Sequence, residues 1–171
     1  MPSESGERRI VSDTGPLISL EKLPGAYRFI RLLYDRILIP PAVLEELAHG
    51  QFEHVEDYIA HFGIADLLEV RTPPSSVALP ETKRLDRGER QAMQLAQVEK
   101  LPLLIEEEAG RQVARSLDIP ISGIAGQVLK AVRHDVLSAE DGAGRLQSLL
   151  AAGRINTRVY EAVLQAVQEE A

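Results

Sequence analysis

Acidic side chains recur directly after the apolar runs of this sequence, and they are its best candidates for chemistry. Asp13 follows Ile10-Val11-Ser12, and Glu45 and Glu46 stand early in the segment after a second run. Three glutamates at 106–108 follow a later run, and Glu89 opens the helical stretch before that run. Carboxylate oxygens without histidine or cysteine are ligands that suit Mg²⁺ or Mn²⁺ better than zinc. The residue types therefore indicate a site for a hard divalent cation.

The elements that must position these acids alternate between strand and helix as far as residue 134. Such alternation predicts an α/β fold, with a parallel sheet covered by helices on both faces. The predicted strands are 9–12, 36–39, 67–71, 101–105 and 119–122. The predicted helices are 16–23, 26–34, 42–48, 55–62, 86–100, 109–117, 125–134, 138–152 and 157–169, and 72–82 is predicted to be an exposed loop. Because ligands bind along the carboxyl edge of such a sheet, the acids fall on one functional edge.

Each acid also has a plain structural explanation. Glu89 stands three residues after Asp86, which is the spacing of a capping box, and the two roles are compatible at a helix start. Glu45 and Glu46 both flank an apolar helix face, so helical geometry does not choose between them. The three glutamates at 106–108 would interact favourably with the dipole of a helix that begins after them. One of them would also lie at the end of a strand beside Asp13. Thr14 is predicted to be the N-cap of the first helix.

Composition narrows the classes of function. The chain of 171 residues has a formal net charge of −7, so it would hold a polyanion only locally, through metal ions or a few arginines and lysines. Without cysteine there are no disulfides, zinc ribbons or thiol chemistry, and a reducing compartment is expected. No apolar run is long enough to span a membrane, and no leader segment opens the chain, so we expect a cytoplasmic protein. His49, His54, His61 and His134 lack the spacing of metal ligands.

Two other chemistries that begin with a strand-end aspartate do not fit. Asp13-Thr14-Gly15 spells the triplet of aspartic proteases, which need two such aspartates in a β-rich fold. Phosphatases of the haloacid dehalogenase type carry a second aspartate two residues after the first, where this chain has Gly15.

The chain resembles PIN-domain nucleases, the fold of the toxins in VapC-type toxin–antitoxin pairs. The matching segments are Val11-Ser12-Asp13-Thr14 with Pro16-Leu17-Ile18, Ile39-Pro40-Pro41-Ala42-Val43 with Glu46-Leu47, Gly88-Glu89 with Ala92 and Leu95-Ala96, Leu104-Ile105-Glu106-Glu107 with Gly110-Arg111 and Ala114, and the stretch from Gly123 to Lys130. Their order and spacing cover about residues 8–135. The helical tail, including Arg154-Ile155-Asn156, is similar to an extension in one branch of PIN proteins.

The resemblance implies a three-layer fold with a parallel five-stranded sheet and an acidic cleft that binds one or two Mg²⁺ or Mn²⁺ ions. It implies cleavage of RNA phosphodiester bonds by a metal-activated water. Carried over by motif, the catalytic acids are Asp13, Glu46, Glu89 and Glu107. Asp13, Glu89 and Glu107 are the implied metal ligands, with Glu106 as the alternate to Glu107. Nearby cations that could seat RNA are Lys83, Arg84, Arg87, Arg90 and Arg111, although most of them are expected to be ordinary surface residues.

The fourth strand of the family commonly ends in aspartate, where this chain has only glutamates. An alternative is therefore a catalytically weakened PIN fold that acts in binding or regulation. We expect a flexible tail at 1–7, a PIN-like domain at 8–135 and a packed helical extension at 136–171. Apolar residues in the last two helices favour a homodimer, and an antitoxin-like protein is the expected partner.

Overall fold

The computed structural model describes residues 6–75 and 79–171. Its strands are β1 (Arg9–Ser12), β2 (Arg36–Ile39), β3 (Leu68–Val70), β4 (Leu103–Leu104) and β5 (Ile121–Ser122). Its α-helices are α1 (Thr14–Glu21), α2 (Ile30–Leu33), α3 (Pro41–Ala48), α4 (Val55–Phe62), α5 (Arg87–Glu99), α6 (Glu108–Ser116), α7 (Ile124–Arg133), α8 (Ala139–Ala151) and α9 (Thr157–Glu169). Short 3₁₀ turns occupy Ala26–Arg28 and Pro80–Thr82.

The five strands form one parallel sheet in the order β3-β2-β1-β4-β5, which confirms the predicted fold class. β1 lies at the centre, and the chain order reverses there, because β2 pairs on one side of it and β4 on the other. Ligands of open α/β sheets bind at such a switch point, outside the carboxyl ends of the strands. The topology therefore marks the residues that follow β1 and β4.

Alternate side chains of each strand enter two separate cores, as the period of two in a β-strand requires. Ile10 packs with the helices of one face and Val11 with those of the other. Ile37 and Ile39 share the core of Ile10, whereas Leu38 shares that of Val11. Because every central strand is buried on both faces, the strands read as continuous apolar runs.

The predicted elements agree with the structure in order, and they differ at several ends. The predicted helix 26–34 is instead a 3₁₀ turn at Ala26–Arg28 followed by the one-turn helix α2. Tyr34 leaves the helix in an extended conformation and buries its hydroxyl against Gln127 of α7 at 2.8 Å. The predicted loop at 72–82 is also not wholly exposed, because Thr82 is buried and its hydroxyl donates to the carbonyl of Leu79 at 2.6 Å. Residues 76–78 of that loop, and 1–5 of the predicted tail, lie outside the described residues.

The last three helices pack on one another and on the first core. Leu146, Leu149 and Val167 are fully buried within the chain itself. This burial accounts for much of the apolar surface from which the sequence predicted a homodimer. In the ranges 6–75 and 79–171, no helix combines the length and apolar character that a bilayer crossing requires.

Candidate active site

Asp13 lies between the carboxyl ends of the two central strands. Its backbone N–H donates to the carbonyl of Leu104 at 3.0 Å, which continues the β1–β4 ladder by one residue. The extended backbone of Asp13 (φ −80°, ψ 174°) makes it the N-cap residue of α1, although its side chain forms no capping hydrogen bond. Its carboxylate is therefore left to the cleft, and only 7% of the residue is exposed.

Thr14 links Asp13 to the next acid. The predicted N-cap role of Thr14 is wrong, because Asp13 holds that position and Thr14 is the first helical residue. The Thr14 hydroxyl instead donates to Glu46 Oε2 at 2.7 Å. Glu46 belongs to α3, which begins at Pro41 directly after β2, so this hydrogen bond joins the ends of two neighbouring strands.

Gly88 makes room for the Glu46 carboxylate. A Cβ atom at position 88 would lie 2.6 Å from Glu46 Oε1, which is closer than real contacts allow. The start of α5 therefore approaches the carboxylate that Thr14 holds. Glu45 and Glu46 are both exposed to solvent, and of the two it is Glu46 that contacts Thr14 and Gly88. The structure thus separates two glutamates that helical periodicity could not.

Glu89 forms the predicted capping box and is buried close to the acids of the cleft. Its backbone N–H donates to Asp86 Oδ1 at 2.8 Å, and its Oε2 accepts from the Asp86 N–H at 3.2 Å. The side chain is buried next to the start of α6, where its Oε1 would lie 3.6 Å from a Cβ on Gly110. The capping box is therefore confirmed, and the role of Glu89 as a site acid stays a prediction.

The structure gives the three consecutive glutamates three different environments. Glu106 accepts from the Ser19 hydroxyl at 2.6 Å and from the Ile124 N–H at 3.0 Å, so its carboxylate ties α1 to the start of α7. Glu107 forms a hydrogen bond with Glu89 and lines the cleft beside Asp13. Glu108 is exposed and pairs with Arg115 at 3.4 Å. Glu106 and Glu107 therefore both line the cleft, and of these two Glu107 is the one that contacts another acid of the site.

Crowding and burial raise the pKa of two of these acids. Burial raises the pKa of Asp13 to about 7. The backbone N–H of Thr14 opposes this increase, and the negative charges of Asp86, Glu46 and Glu107 add to it. Burial also raises the pKa of Glu89 to about 7, and its hydrogen bond with Glu107 adds to the increase by stabilising the protonated form. Acids with shifts of this origin, gathered in a cleft, are typical of functional sites.

The donor set fits a hard divalent ion. Asp13, Glu89 and Glu107 offer oxygen ligands from three segments, and their mutual repulsion is the kind that a cation relieves. Among the residues described, no three acidic or histidine side chains already converge as an ion cage. Small rotations of the exposed Glu107 and of the Asp13 side chain would therefore accompany binding. Glu89 has less freedom, since one of its oxygens completes the capping box.

Two features of the cleft escaped the sequence-based predictions. Asp86 lines it with Asp13 and interacts electrostatically with both Asp13 and Glu89, whereas its spacing from Glu89 predicts only a helix cap. Arg154, from the connection between α8 and α9, also lines the cleft. The capping-box spacing explains Asp86 fully, so the sequence gives no reason to expect a second role for it. Arg154 is far from Asp13 in the sequence, and no local pattern relates the two positions.

The predicted cations are mostly placed as surface residues. Lys83, Arg84 and Arg87 are exposed. Arg111 is half-buried, and its Nη1 donates to the carbonyl of Ile105 at 3.0 Å. It lines a groove of about 600 Å³ that adjoins the acidic cleft and shares Glu106 and Arg154 with it.

A family model described as a PIN domain matches residues 9–169 of the chain. The match includes the three C-terminal helices as well as the sheet. No curated protein matches the chain significantly.

Proposed function

Because the chain belongs to the PIN-domain family, whose members are typically nucleases that bind divalent metals, we propose that it is a Mg²⁺- or Mn²⁺-dependent endoribonuclease. The single observation that supports this proposal best is the buried position of Asp13 at the topological switch point. Acids from three other segments, Glu46, Glu89 and Glu107, surround it. Such an arrangement is costly without a counter-charge, which favours a role for it in function.

The chain's own side chains have separate tasks in this proposal. Asp13, Glu89 and Glu107 would hold the ion, and Thr14 fixes Glu46 by its 2.7 Å hydrogen bond. A bound divalent ion supplies an activated water and neutralises the phosphate. Asp13 and Glu89 must lose their protons before they can bind a cation, so their raised pKa values make metal binding favour neutral to alkaline pH.

The experiment is cleavage of a labelled single-stranded RNA by the purified protein. MgCl₂ or MnCl₂ should support cleavage and EDTA should remove it. Asp13→Asn should lower the rate by more than roughly 100-fold, because even partners outside a metal's ligand set cost about 10- to 100-fold. Asp35→Asn is the matched control, since Asp35 lies before β2 and pairs with Arg8 at 3.2 Å, away from the cleft. Cleavage that persists in EDTA or in Asp13→Asn would contradict the proposal.

A narrower proposal is that the chain is the toxin of a toxin–antitoxin pair, and the resemblance to VapC-type toxins supports it. Its expression in a bacterial host should then arrest growth, and expression of Asp13→Asn should not. Equal growth with both proteins, at equal expression, would remove the toxin role and leave the ribonuclease proposal intact.

The alternative, a PIN fold that binds or regulates without efficient cleavage, is favoured by one specific observation. Glu106 follows β4 and accepts hydrogen bonds from Ser19 and Ile124, so its carboxylate is already occupied. The acid that remains for a metal ion here is Glu107, whose side chain is longer than that of the aspartate common in the family. RNA that is bound in MgCl₂ and remains uncleaved after prolonged incubation would favour this alternative.

A further inference from the structure

We propose that Arg154, from the connection between the last two helices, is a substrate-binding residue that holds a phosphate of single-stranded RNA at the mouth of the acidic cleft. The inference rests on the proposed ribonuclease function and adds a contribution of the C-terminal helices to it. Arg154 lies 141 positions from Asp13 in the sequence, yet both line the same cleft.

A sharp turn after α8 positions Arg154. Gly153 adopts a left-handed conformation (φ +71°) directly after α8, and the Arg154 N–H donates back to the carbonyl of Leu149 at 2.9 Å. Glycine is the residue that adopts this conformation at a helix end without strain. The chain therefore turns sharply at the end of α8, and the Arg154 side chain extends toward the start of α1.

Two hydrogen bonds fix the Arg154 side chain against α1. Its Nε donates to the hydroxyl of Ser19 at 2.9 Å, and its Nη2 donates to the carbonyl of Gly15 at 2.9 Å. Ser19 is fully buried and donates its own proton to Glu106, whose Oε1 lies 3.8 Å from Arg154 Nη2. The guanidinium is thus held at the first turn of α1, against the residue that directly follows Thr14.

This side chain still has donors to offer. A guanidinium carries five N–H groups, and within 6–75 and 79–171 no hydrogen bond involves Arg154 Nη1. The side chain is 28% exposed, on a cleft whose other charged lining residues are acids: Asp13, Glu46, Asp86, Glu106 and Glu107. A fixed guanidinium fork is well suited to a phosphate. In a chain of net charge −7, such a local cation is what a polyanion needs in order to approach.

The adjoining groove carries two more arginines away from the cleft. Arg154 lies where the groove meets the cleft, and Arg111 and Arg115 lie along the groove. Glu106 and Glu108 line it as well, and Glu108 pairs with Arg115 at 3.4 Å, so Arg111 and Arg154 are the cations that the groove offers to a phosphate. Val159 and Val163 of α9 line it as well and add apolar surface. A groove that carries arginines away from the cleft suits the phosphates of an extended single strand. We therefore assign the groove to RNA flanking the cleaved bond.

The test is equilibrium binding of a fluorescently labelled single-stranded RNA in MgCl₂, with Asp13→Asn as the parent so that cleavage is stopped. Adding Arg154→Gln should weaken binding about tenfold and reduce the slope of log K against log [salt] by about one, as expected for one lost phosphate contact. Arg154→Lys should fall between the two, because lysine keeps the charge and loses the fork. Arg133→Gln is the charge-matched control: Arg133 ends α7 and pairs with Glu170 at 3.1 Å, about 15 Å along that helix from its cleft end.

A purely structural role for Arg154 predicts different results. Ser19→Ala removes the acceptor of Nε without changing the charge, and under our proposal it weakens RNA binding less than Arg154→Gln does. In the protein with Asp13 intact, Arg154→Gln should raise KM more than it lowers kcat. A fall in kcat with an unchanged KM and an unchanged RNA affinity would show that Arg154 only holds α1 in place, and it would overturn the proposal. So would an affinity within twofold of the parent.

The outcomes separate this inference from the ribonuclease proposal. If the wild-type protein cleaves no RNA while binding still depends on Arg154, the nuclease assignment fails and the binding role remains. If cleavage occurs and Arg154→Gln binds RNA like its parent, only the binding role fails. A poly-glutamate competitor provides the last arm: if it binds the groove more tightly than RNA does, the surface belongs to an acidic protein partner and the proposal is overturned.

Discussion

The hydroxyl of Thr14 donates to Glu46 Oε2 at 2.7 Å, although the two residues are 32 positions apart. This contact joins the helices that follow β1 and β2 at the edge where the acids gather. On its other side the same carboxylate lies against Gly88, where a Cβ would approach to 2.6 Å. Glu46 is therefore positioned from two sides although it is exposed to solvent.

Loss of this hydrogen bond should affect cleavage more than folding. Thr14→Val keeps the shape of the side chain and removes the donor, so Glu46 should lose its fixed orientation. We expect the cleavage rate to fall by about tenfold, with a melting temperature within a few degrees of wild type, since an ordinary hydrogen bond contributes about 1 kcal/mol. Thr14→Ser keeps the hydroxyl and should retain most of the activity. If both variants cleave alike, the hydrogen bond has no role in positioning Glu46.

The three consecutive glutamates should respond differently to the same substitution. Glu107→Gln should abolish most cleavage and leave the fold intact, because Glu107 is exposed in the cleft. Glu106→Gln should destabilise the protein by about 1–3 kcal/mol, because its two oxygens accept from Ser19 and Ile124 and the amide offers one acceptor. Glu108→Gln is the control and should change neither property. Parallel thermal melts and cleavage assays check the assignment, which fails if Glu106→Gln is the stable, inactive variant.

The metal-free protein should lose stability as pH rises from about 4 to about 7. The pKa values of Asp13 and Glu89 are raised to about 7 in the folded state, so the folded protein holds protons that the unfolded chain has already released. Their stabilising effect is complete below the unfolded pKa values near 4 and is lost as pH passes through about 7.

Thermal melts in EDTA at pH 5 and pH 8 measure this loss. Asp13→Asn removes one of the two groups, so it should flatten the profile and raise the melting temperature at pH 8. Asp35→Asn serves as the control, because Arg8 lowers the pKa of Asp35 and the substitution should destabilise slightly at both values. An unchanged pH profile in Asp13→Asn would contradict the prediction.

Mg²⁺ should stabilise the wild-type protein more than NaCl of equal ionic strength. A ligand that binds only the folded state adds about 2.7 kcal/mol at a hundredfold excess over its Kd, which corresponds to roughly 5–10 °C for a domain of this size. Asp13→Asn should lose most of this shift. Equal shifts from MgCl₂ and NaCl would show that the acids form no metal site.

The predicted homodimer remains to be measured. Leu146, Leu149 and Val167 are buried inside the chain, so a dimer would have to use other surface, such as the exposed side chains of Leu32 and Val98. Light scattering at tens of micromolar should give twice the mass of one chain. A monomer at that concentration would contradict the prediction.

The sequence by itself determined the order of strands and helices and the positions of the acids along the chain. A short continuous apolar run such as Ile37-Leu38-Ile39 predicts a strand that is buried on both faces, and the structure shows this burial. The spacing of Asp86 and Glu89 predicts the start of a helix. Parallel strands share one carboxyl edge, so the meeting of Asp13 with residues after β4 also followed from pattern alone.

Tertiary structure decided what each of the neighbouring acids contacts, which local helix and strand geometry left open. Glu45 and Glu46, or Glu106 and Glu107, are chemically identical neighbours, and their roles depend on contacts with Thr14, Ser19 and Ile124 far away in sequence. Only the packing of the C-terminal helices brings Arg154 to Gly15. Local periodicity carries no information about such contacts, because they arise when distant segments close on a common core.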